Sequence, residues 1–90
     1  MNDEFLNKAK ELTVEHYPDH SIDPDDVYIV WFSKTLRNWK ALTATNRSDR
    51  LYFEITHNGE KGETYIDMYK KQKNVSVSDD GKVLTQDDYI

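Results

Sequence analysis

The chain has 90 residues, enough for one domain with a single core. Its net charge is −5, and it contains no cysteine, which excludes disulfides, thiolate nucleophiles and cysteine zinc sites and suits a reducing compartment. The sequence shows neither a signal peptide nor an apolar run of about 20 residues. We therefore expect one soluble, cytoplasmic domain over 1–90 with no membrane partner.

The first predicted element is an amphipathic helix within residues 1–17. Phe5, Leu6, Ala9 and Leu12 recur at helical spacing, and Pro18 ends the pattern. Residues 18–26 contain two prolines and four aspartates, a composition typical of a reversing turn. We expect the helix to cover one face of a sheet.

From Val27 the chain changes to an extended pattern that is apolar on both alternating faces. Val27 is followed by five more apolar residues, Tyr28, Ile29, Val30, Trp31 and Phe32. Because a strand buried on both faces needs apolar side chains in both directions, this pattern predicts a central strand. A tight turn at residues 36–38 leads into a second strand near 39–45.

The third strand, near 51–57, alternates apolar and polar residues, so one of its faces should lie in the core. A two-residue turn at Asn58-Gly59 would place glycine and threonine opposite Phe53 and Ile55. A turn centred on residues 60–61 instead pairs Ile55 with Ile66, Phe53 with Met68 and Tyr52 with Tyr69. We prefer this register, whose cost is Glu54 opposite Asp67 unless a neighbouring lysine intervenes.

The C-terminal part has weaker signals. Two short apolar stretches flank Asp79-Asp80-Gly81, which predicts an extra short hairpin over 74–85 and a tail over 86–90. The predicted fold class is α+β, with one N-terminal helix packed on a four-stranded antiparallel sheet over 27–72.

Positive charge concentrates in one segment of this acidic chain. Residues 1–32 carry two lysines against eight acids, whereas residues 33–50 carry five Lys or Arg residues against one aspartate. Cations beside an exposed aromatic ring are typical of single-stranded nucleic-acid sites. The candidate nucleic-acid-binding residues are Lys34, Arg37, Trp39, Lys40, Arg47 and Arg50. The alternative is that Trp39 completes the core near a turn and that the cations are only solvated.

Three tyrosines form the second candidate surface. Tyr52, Tyr65 and Tyr69 should lie on the sheet face away from the helix, where they would offer an aromatic surface to a protein partner or a second copy.

No motif indicates catalysis, a metal or a nucleotide cofactor. His16 and His20 are four residues apart, but proline separates them and no glutamate follows the first. Asp19, Asp23 and Asp25 alternate like calcium ligands, yet the glycine and the glutamate of a calcium loop are missing. We expect no enzyme activity and no cofactor.

The segment VYIVWFSKTLRNWKALTAT (residues 27–45), with YFEITHNGEKGETYIDMYKK (residues 52–71), resembles a family of small uncharacterised proteins encoded by phages and prophages of Gram-positive bacteria. The resemblance extends over residues 1–75. It implies a phage accessory protein in the bacterial host cytoplasm and transfers no catalytic residue.

These observations favour a noncatalytic protein-interaction domain that binds a host or phage protein or associates with itself. One alternative is single-stranded nucleic-acid binding through the basic hairpin. The other is acidic mimicry of nucleic acid by the helix and the loop that contains Asp23, Asp25 and Asp26, which would inhibit a host protein.

Overall fold

The computed structural model describes residues 2–19 and 21–88 and has the predicted α+β fold. Helix α1 (Asp3–Glu15) precedes a 3₁₀ turn at Pro24–Asp26. The strands are β1 (Val27–Thr35), β2 (Asn38–Thr45), β3 (Leu51–Asn58), β4 (Glu63–Lys70), β5 (Lys73–Val77) and β6 (Val83–Asp88). Strands β1 to β4 form one antiparallel sheet in chain order, and β5 pairs with β6 in a separate two-stranded sheet.

Helix α1 packs on one face of the four-stranded sheet, chiefly over β1 and β2. It ends at Glu15, earlier than expected, because the Tyr17 amide bonds to the Val14 carbonyl in a tightened last turn. Ala9 and Thr13 are buried against the sheet. One core cluster joins Ala9 to Trp39, Ala41 and Ile55, and a second joins Tyr17, Ile22, Val27 and Phe53.

A pair of buried threonines connects the helix to β2. The Thr13 hydroxyl donates to the Ala9 carbonyl at 2.8 Å, and its oxygen lies 2.7 Å from the Thr43 hydroxyl. Because the single hydroxyl proton of Thr13 is donated to the Ala9 carbonyl, Thr43 must be the donor between the two hydroxyls. Both residues are fully buried, so this chain of hydrogen bonds fixes the position of the helix on the sheet.

The prediction that the Val27 strand is central is wrong, because β1 lies at the edge of the sheet and β2 and β3 are central. The pattern misled because β1 has only one strand neighbour and no other helix or strand of the described chain covers its apolar open face, while a β-bulge decides which apolar residues lie on that face. The pairing shifts between Ile29 and Trp31, which leaves Val30 as an extra residue beside Trp31 and opposite Leu42. Ile29 and Phe32 consequently pack towards the helix, while Val30 and Trp31 are exposed on the other side.

The predicted register of β3 and β4 is confirmed. Ile55 pairs with Ile66, Phe53 with Met68 and Tyr52 with Tyr69. Glu54 does face Asp67, and Lys40 on β2 provides the compensating charge, with its Nζ 3.5 Å from the Glu54 carboxylate.

Two turns meet at one end of the sheet. The Asn38 side chain accepts a hydrogen bond from the Gly59 amide at 2.9 Å, which ties the β3–β4 turn to the start of β2. A Cβ atom on residue 59 would lie 2.2 Å from the Arg37 carbonyl oxygen, so only glycine fits there.

The C-terminal hairpin forms as predicted but is longer. Strand β6 continues to Asp88, where it pairs with Lys73 at the start of β5. The predicted tail is therefore wrong for residues 86–88, and residues 89–90 lie outside the described residues.

The threonine pair gives a directional prediction. Thr13→Val should lower the free energy of unfolding by about 1–3 kcal/mol, because it leaves the buried Thr43 hydroxyl without an acceptor. Thr43→Val should cost less, because Thr13 still donates to Ala9. The double variant should approach wild-type stability in urea denaturation, since both hydroxyls are then replaced by groups of similar shape. A larger loss for Thr43→Val than for Thr13→Val would contradict the assigned direction.

Gly59→Ala should destabilise the fold by about 1–3 kcal/mol, because the new methyl group meets the Arg37 backbone. Gly62→Ala in the same turn is the matched control: its Cβ meets no atom within 4 Å, and its positive φ of 65° alone should cost about 1 kcal/mol. Thermal or urea unfolding checks the order. Equal losses would mean that the close approach at residue 59 relaxes without cost.

Candidate binding surface on the open sheet face

The sheet face opposite α1, which we call the open face, is covered by no other helix or strand of the described chain. Side chains alternate between the two faces, so the residues that alternate with the core residues lie here. Several are large and apolar, and they are 42–52% exposed. The exposed apolar residues of this face are Tyr28, Val30, Trp31, Tyr65 and Tyr69.

The three predicted tyrosines do lie on the open face. Tyr52 and Tyr69 face each other across β3 and β4, and their rings stack with centroids 5.2 Å apart and planes inclined by 17°. Tyr65 lies on the same face of β4, and its hydroxyl donates to Glu63. We call Tyr52, Tyr65 and Tyr69 the tyrosine patch.

Neighbouring carboxylates raise the pKa values of Tyr65 and Tyr69 above the ordinary value for tyrosine. The charge of Glu54, followed by partial burial and the charge of Asp67, raises the pKa of Tyr69. The hydrogen bond to Glu63 raises the pKa of Tyr65. The patch therefore offers neutral aromatic rings with polar hydroxyls, the side chains most enriched in protein interfaces.

A cleft of about 660 Å³ also lies on the open face, and Tyr52 belongs both to the tyrosine patch and to the wall of this cleft. Its apolar part contains Tyr28, Val30, Leu42, Ala44, Leu51 and Tyr52. Its charged part contains Arg47, Arg50, Lys70, Lys71 and Lys73. No carboxylate lines it, although the whole chain is acidic. We call this feature the cationic cleft.

Two loops support the Arg47 side of the cleft. The Arg47 guanidinium donates to the Ser21 carbonyl at 2.9 Å and lies 3.7 Å from the Asp19 carboxylate. The buried Tyr17 hydroxyl donates to Asp49, whose other carboxylate oxygen accepts from the Leu51 amide. These contacts hold the β2–β3 loop against the segment that follows the helix.

The predicted nucleic-acid residues do not form one surface. Trp39 is 5% exposed and packs between Phe5 and Phe32, with ring centroids 5.9 and 6.0 Å away, so it belongs to the core as the alternative interpretation stated. Its ring has no free face for stacking on a base in this conformation. Lys34 also lies on the helix side, with its ammonium 5.6 Å from the Phe5 ring centroid.

The other four candidates are divided between the two ends of the sheet. Arg37 lies in the β1–β2 turn, and Lys40 is on the open face beside Glu54. Arg47 and Arg50 line the cationic cleft. The structure therefore separates Trp39 from the two arginines and gives them different neighbours.

The sequence analysis did not predict that the lysines at the end of β4 line the same cleft as Arg50. The signal was present, because pairing Tyr52 with Tyr69 also places Leu51 opposite Lys70. The next contact is a backbone hydrogen bond of 2.8 Å from the Lys71 amide to the Arg50 carbonyl. Tyr28 was missed because the β1 face that carries it was expected to be buried.

The aspartates after the helix stabilise local turns. Asp23 and Asp26 form a reciprocal capping box around the 3₁₀ turn, and Asp19 accepts bonds from Ser21. Among residues 2–19 and 21–88 no group of three or more histidine or acidic side chains is placed to hold a metal ion. His20, half of the histidine pair, lies outside the described residues. The described helices include none long and apolar enough to cross a membrane.

A protein-family profile matches residues 6–79, and its description is a family of unknown function, DUF6275. The chain belongs to the DUF6275 family. The match begins at residue 6 within α1, includes the four-stranded sheet and β5, and ends at residue 79, before β6. No curated protein and no solved structure shows a significant match to the chain.

The Tyr17–Asp49 contact predicts a pH dependence of stability. Burial, followed by the hydrogen bond to Asp49, raises the pKa of Tyr17 above its ordinary value of 10.0. The folded state thus favours the neutral phenol, and the resulting stability is present below pH 10 and is lost as the pH rises through the raised pKa.

Tyr17→Phe should therefore be less stable than wild type at pH 8, by about 1–3 kcal/mol, and should lose less stability between pH 9 and pH 11. Urea denaturation across this range measures both effects. Tyr28→Phe, at an exposed position, is the control and should follow wild type. Identical alkaline losses for wild type and Tyr17→Phe would contradict the role of Tyr17.

Proposed function

We propose that this member of the DUF6275 family is a noncatalytic protein-interaction domain that binds a partner through its open face. The observation that carries the proposal is the set of large, exposed aromatic side chains on the open face, Tyr28 and Trp31 on β1 and Tyr65 and Tyr69 on β4. A folded monomer gains nothing in stability by leaving such groups in water.

The composition of the tyrosine patch supports a protein ligand. Tyrosine provides a large and rigid contact area at low entropy cost, and its hydroxyl forms hydrogen bonds at the rim of an interface. Glu63 and Glu54 lie beside the rings and would limit binding to partners that do not place carboxylates there.

The more specific form of the proposal is a phage accessory protein that acts on a host or phage protein in the bacterial cytoplasm. Its support is the resemblance of residues 27–45 and 52–71 to small phage-encoded proteins. The absence of cysteine also suits a reducing cytoplasm.

Single-stranded nucleic-acid binding is the second candidate, and the cationic cleft favours it. Tyr28 and Tyr52 would provide the stacking surfaces there, with Arg47, Arg50 and the lysines of residues 70–73 as phosphate ligands. This version replaces Trp39, which is buried. Acidic mimicry would rest on the exposed loop around Asp23 and Asp25, and it remains a third hypothesis.

The decisive test compares two faces of the same strand. Tyr65→Ala/Tyr69→Ala removes two rings from the open face of β4, whereas Met68→Ala removes a 52% exposed side chain from its other face. A partner captured from bacterial lysate is purified and titrated against all three proteins by calorimetry. The tyrosine variant should bind at least about tenfold more weakly, and Met68→Ala should bind like wild type.

Thermal melts of both variants show whether the fold is retained. Equal affinity of wild type and the tyrosine variant for the purified partner would exclude the tyrosine patch as the binding surface. Failure to capture any specific protein would remove the support for a protein ligand.

A further inference from the structure

The β5–β6 hairpin, which we call the arm, exposes apolar side chains to solvent. Val75, Val77, Val83 and Leu84 are between 40% and 63% exposed, and none belongs to either core cluster. Val77 pairs directly with Val83, so two of these side chains lie together on one side of the arm. In the described chain the arm makes no extensive contact with α1 or with the four-stranded sheet.

A hairpin of this kind is not self-sufficient. Two strands alone are marginally stable in water, because ordering them costs conformational entropy and no buried apolar face offsets that cost. Three or more strands, or packing against another surface, are needed for stability. The arm would therefore gain stability if another surface covered its exposed valines. The two-stranded sheet of the arm does not bury them.

The cationic cleft has the complementary composition. The arm, residues 73–88, carries Asp79 and Asp80 at its turn and Asp87 and Asp88 at its end, against two lysines. Outside the arm, the cleft carries four Lys or Arg residues, Arg47, Arg50, Lys70 and Lys71, and it has no carboxylate and an apolar floor. An acidic element with an apolar side therefore matches a cationic groove with an apolar floor.

We propose that the arm of one chain occupies the cationic cleft of a second copy, and that the second arm occupies the first cleft in return. Val77 and Val83 would cover Tyr28, Val30 and Leu42, and the aspartates of the turn would approach the cleft's arginines and lysines. The exchange is isologous, so it closes into a symmetric dimer and leaves no free binding surface to propagate.

The position of the arm suits this exchange. Lys70, Lys71 and Lys73 line the cleft and also form the root of the arm, so each arm leaves its own chain at the edge of its own cleft. Two chains related by a two-fold axis near residue 72 can therefore cross arms over a short distance. Gln72 lies between the two sheets and is the link at which the direction of the arm is set.

The absence of cysteine allows a clean crosslinking test. Val77→Cys and Val30→Cys are made as separate proteins, mixed and oxidised. A disulfide between the two different chains is expected, because arm exchange would place Val77 of one chain against Val30 of the other, within the distance that a disulfide requires. Leu36→Cys, on an 84% exposed residue at the opposite end of the sheet, replaces Val30→Cys as the matched control and should not crosslink with Val77→Cys.

Sedimentation equilibrium gives the second measurement. Wild type should be a dimer, and Val77→Asp/Val83→Asp should raise the dimer dissociation constant by roughly tenfold or more through loss of apolar burial. Leu36→Asp, the control, should leave the dimer unchanged. Circular dichroism and thermal melts of the same samples establish that the four-stranded sheet is intact.

Three results would overturn the proposal. One is a wild-type protein that stays monomeric at about 100 µM, far above the dissociation constant of a stable dimer. Another is a Val30→Cys/Val77→Cys double variant that closes a disulfide within one monomeric chain. The third is binding of a labelled oligothymidylate that is lost in Lys71→Glu/Lys73→Glu, which would assign the cleft to nucleic acid.

The proposed arm exchange shares Tyr52 with the tyrosine patch, but it can fail separately from partner binding through Tyr65 and Tyr69. Tyr65 and Tyr69 do not line the cleft, so a dimer that still binds a captured protein through those tyrosines would support both proposals. A monomer that binds the captured protein would overturn only the arm exchange.

Discussion

The structure depends on the fact that a single helix of 13 residues is packed on a sheet of four strands. Such a helix is about 20 Å long and can cover only one face of the sheet. The Thr13–Thr43 hydrogen bond fixes which face that is, and the Tyr17 and Asp49 contact holds the chain after the helix against the same side. All side chains that alternate with the buried ones therefore meet solvent, and the open face with its tyrosines follows from this arrangement.

The sequence predicted the β3–β4 pairing because one face of β3 is plainly apolar and its neighbour is polar. A shift by one residue would have exposed Phe53 and Ile55, so burial selected a single register. The same reasoning failed for β1. Apolar residues on both faces of β1 predicted a central strand, yet β1 has one strand neighbour and its apolar open face is covered by no other helix or strand of the described chain. The bulge at Val30 decides only which apolar residues lie on which face. Nothing in the local sequence distinguishes this edge strand from a buried central one.

Some features of the candidate site could likewise be predicted from the sequence, and others could not. The tyrosine patch could be predicted, since the three tyrosines lie on strands whose register was fixed by the core. The buried position of Trp39 could not be chosen over an exposed one, because its place depends on Phe5 in the helix and Phe32 beyond the bulge. The cationic cleft is formed by segments distant in sequence, with Arg47 and Arg50 in one loop and the lysines of residues 70–73 in the other. Charge counted along the chain separates these groups, whereas strand pairing brings them together.

The charge distribution also bears on why an acidic chain keeps a carboxylate-free cleft. In an isolated monomer, Arg47 has the Asp19 carboxylate beside it, whereas the lysines at residues 70, 71 and 73 gather positive charge around apolar side chains, which raises the free energy of the folded state. A ligand that supplies negative charge and apolar surface removes both costs, and the arm contains both within 16 residues. In the proposed dimer, the arm and the cleft each stabilise the other, and the stability of β5 and β6 becomes linked to protein concentration. The four-stranded sheet needs no such link, because α1 already covers its core face. The two sheets of one short chain would then differ in the source of their stability, with packing inside the chain for one and association for the other.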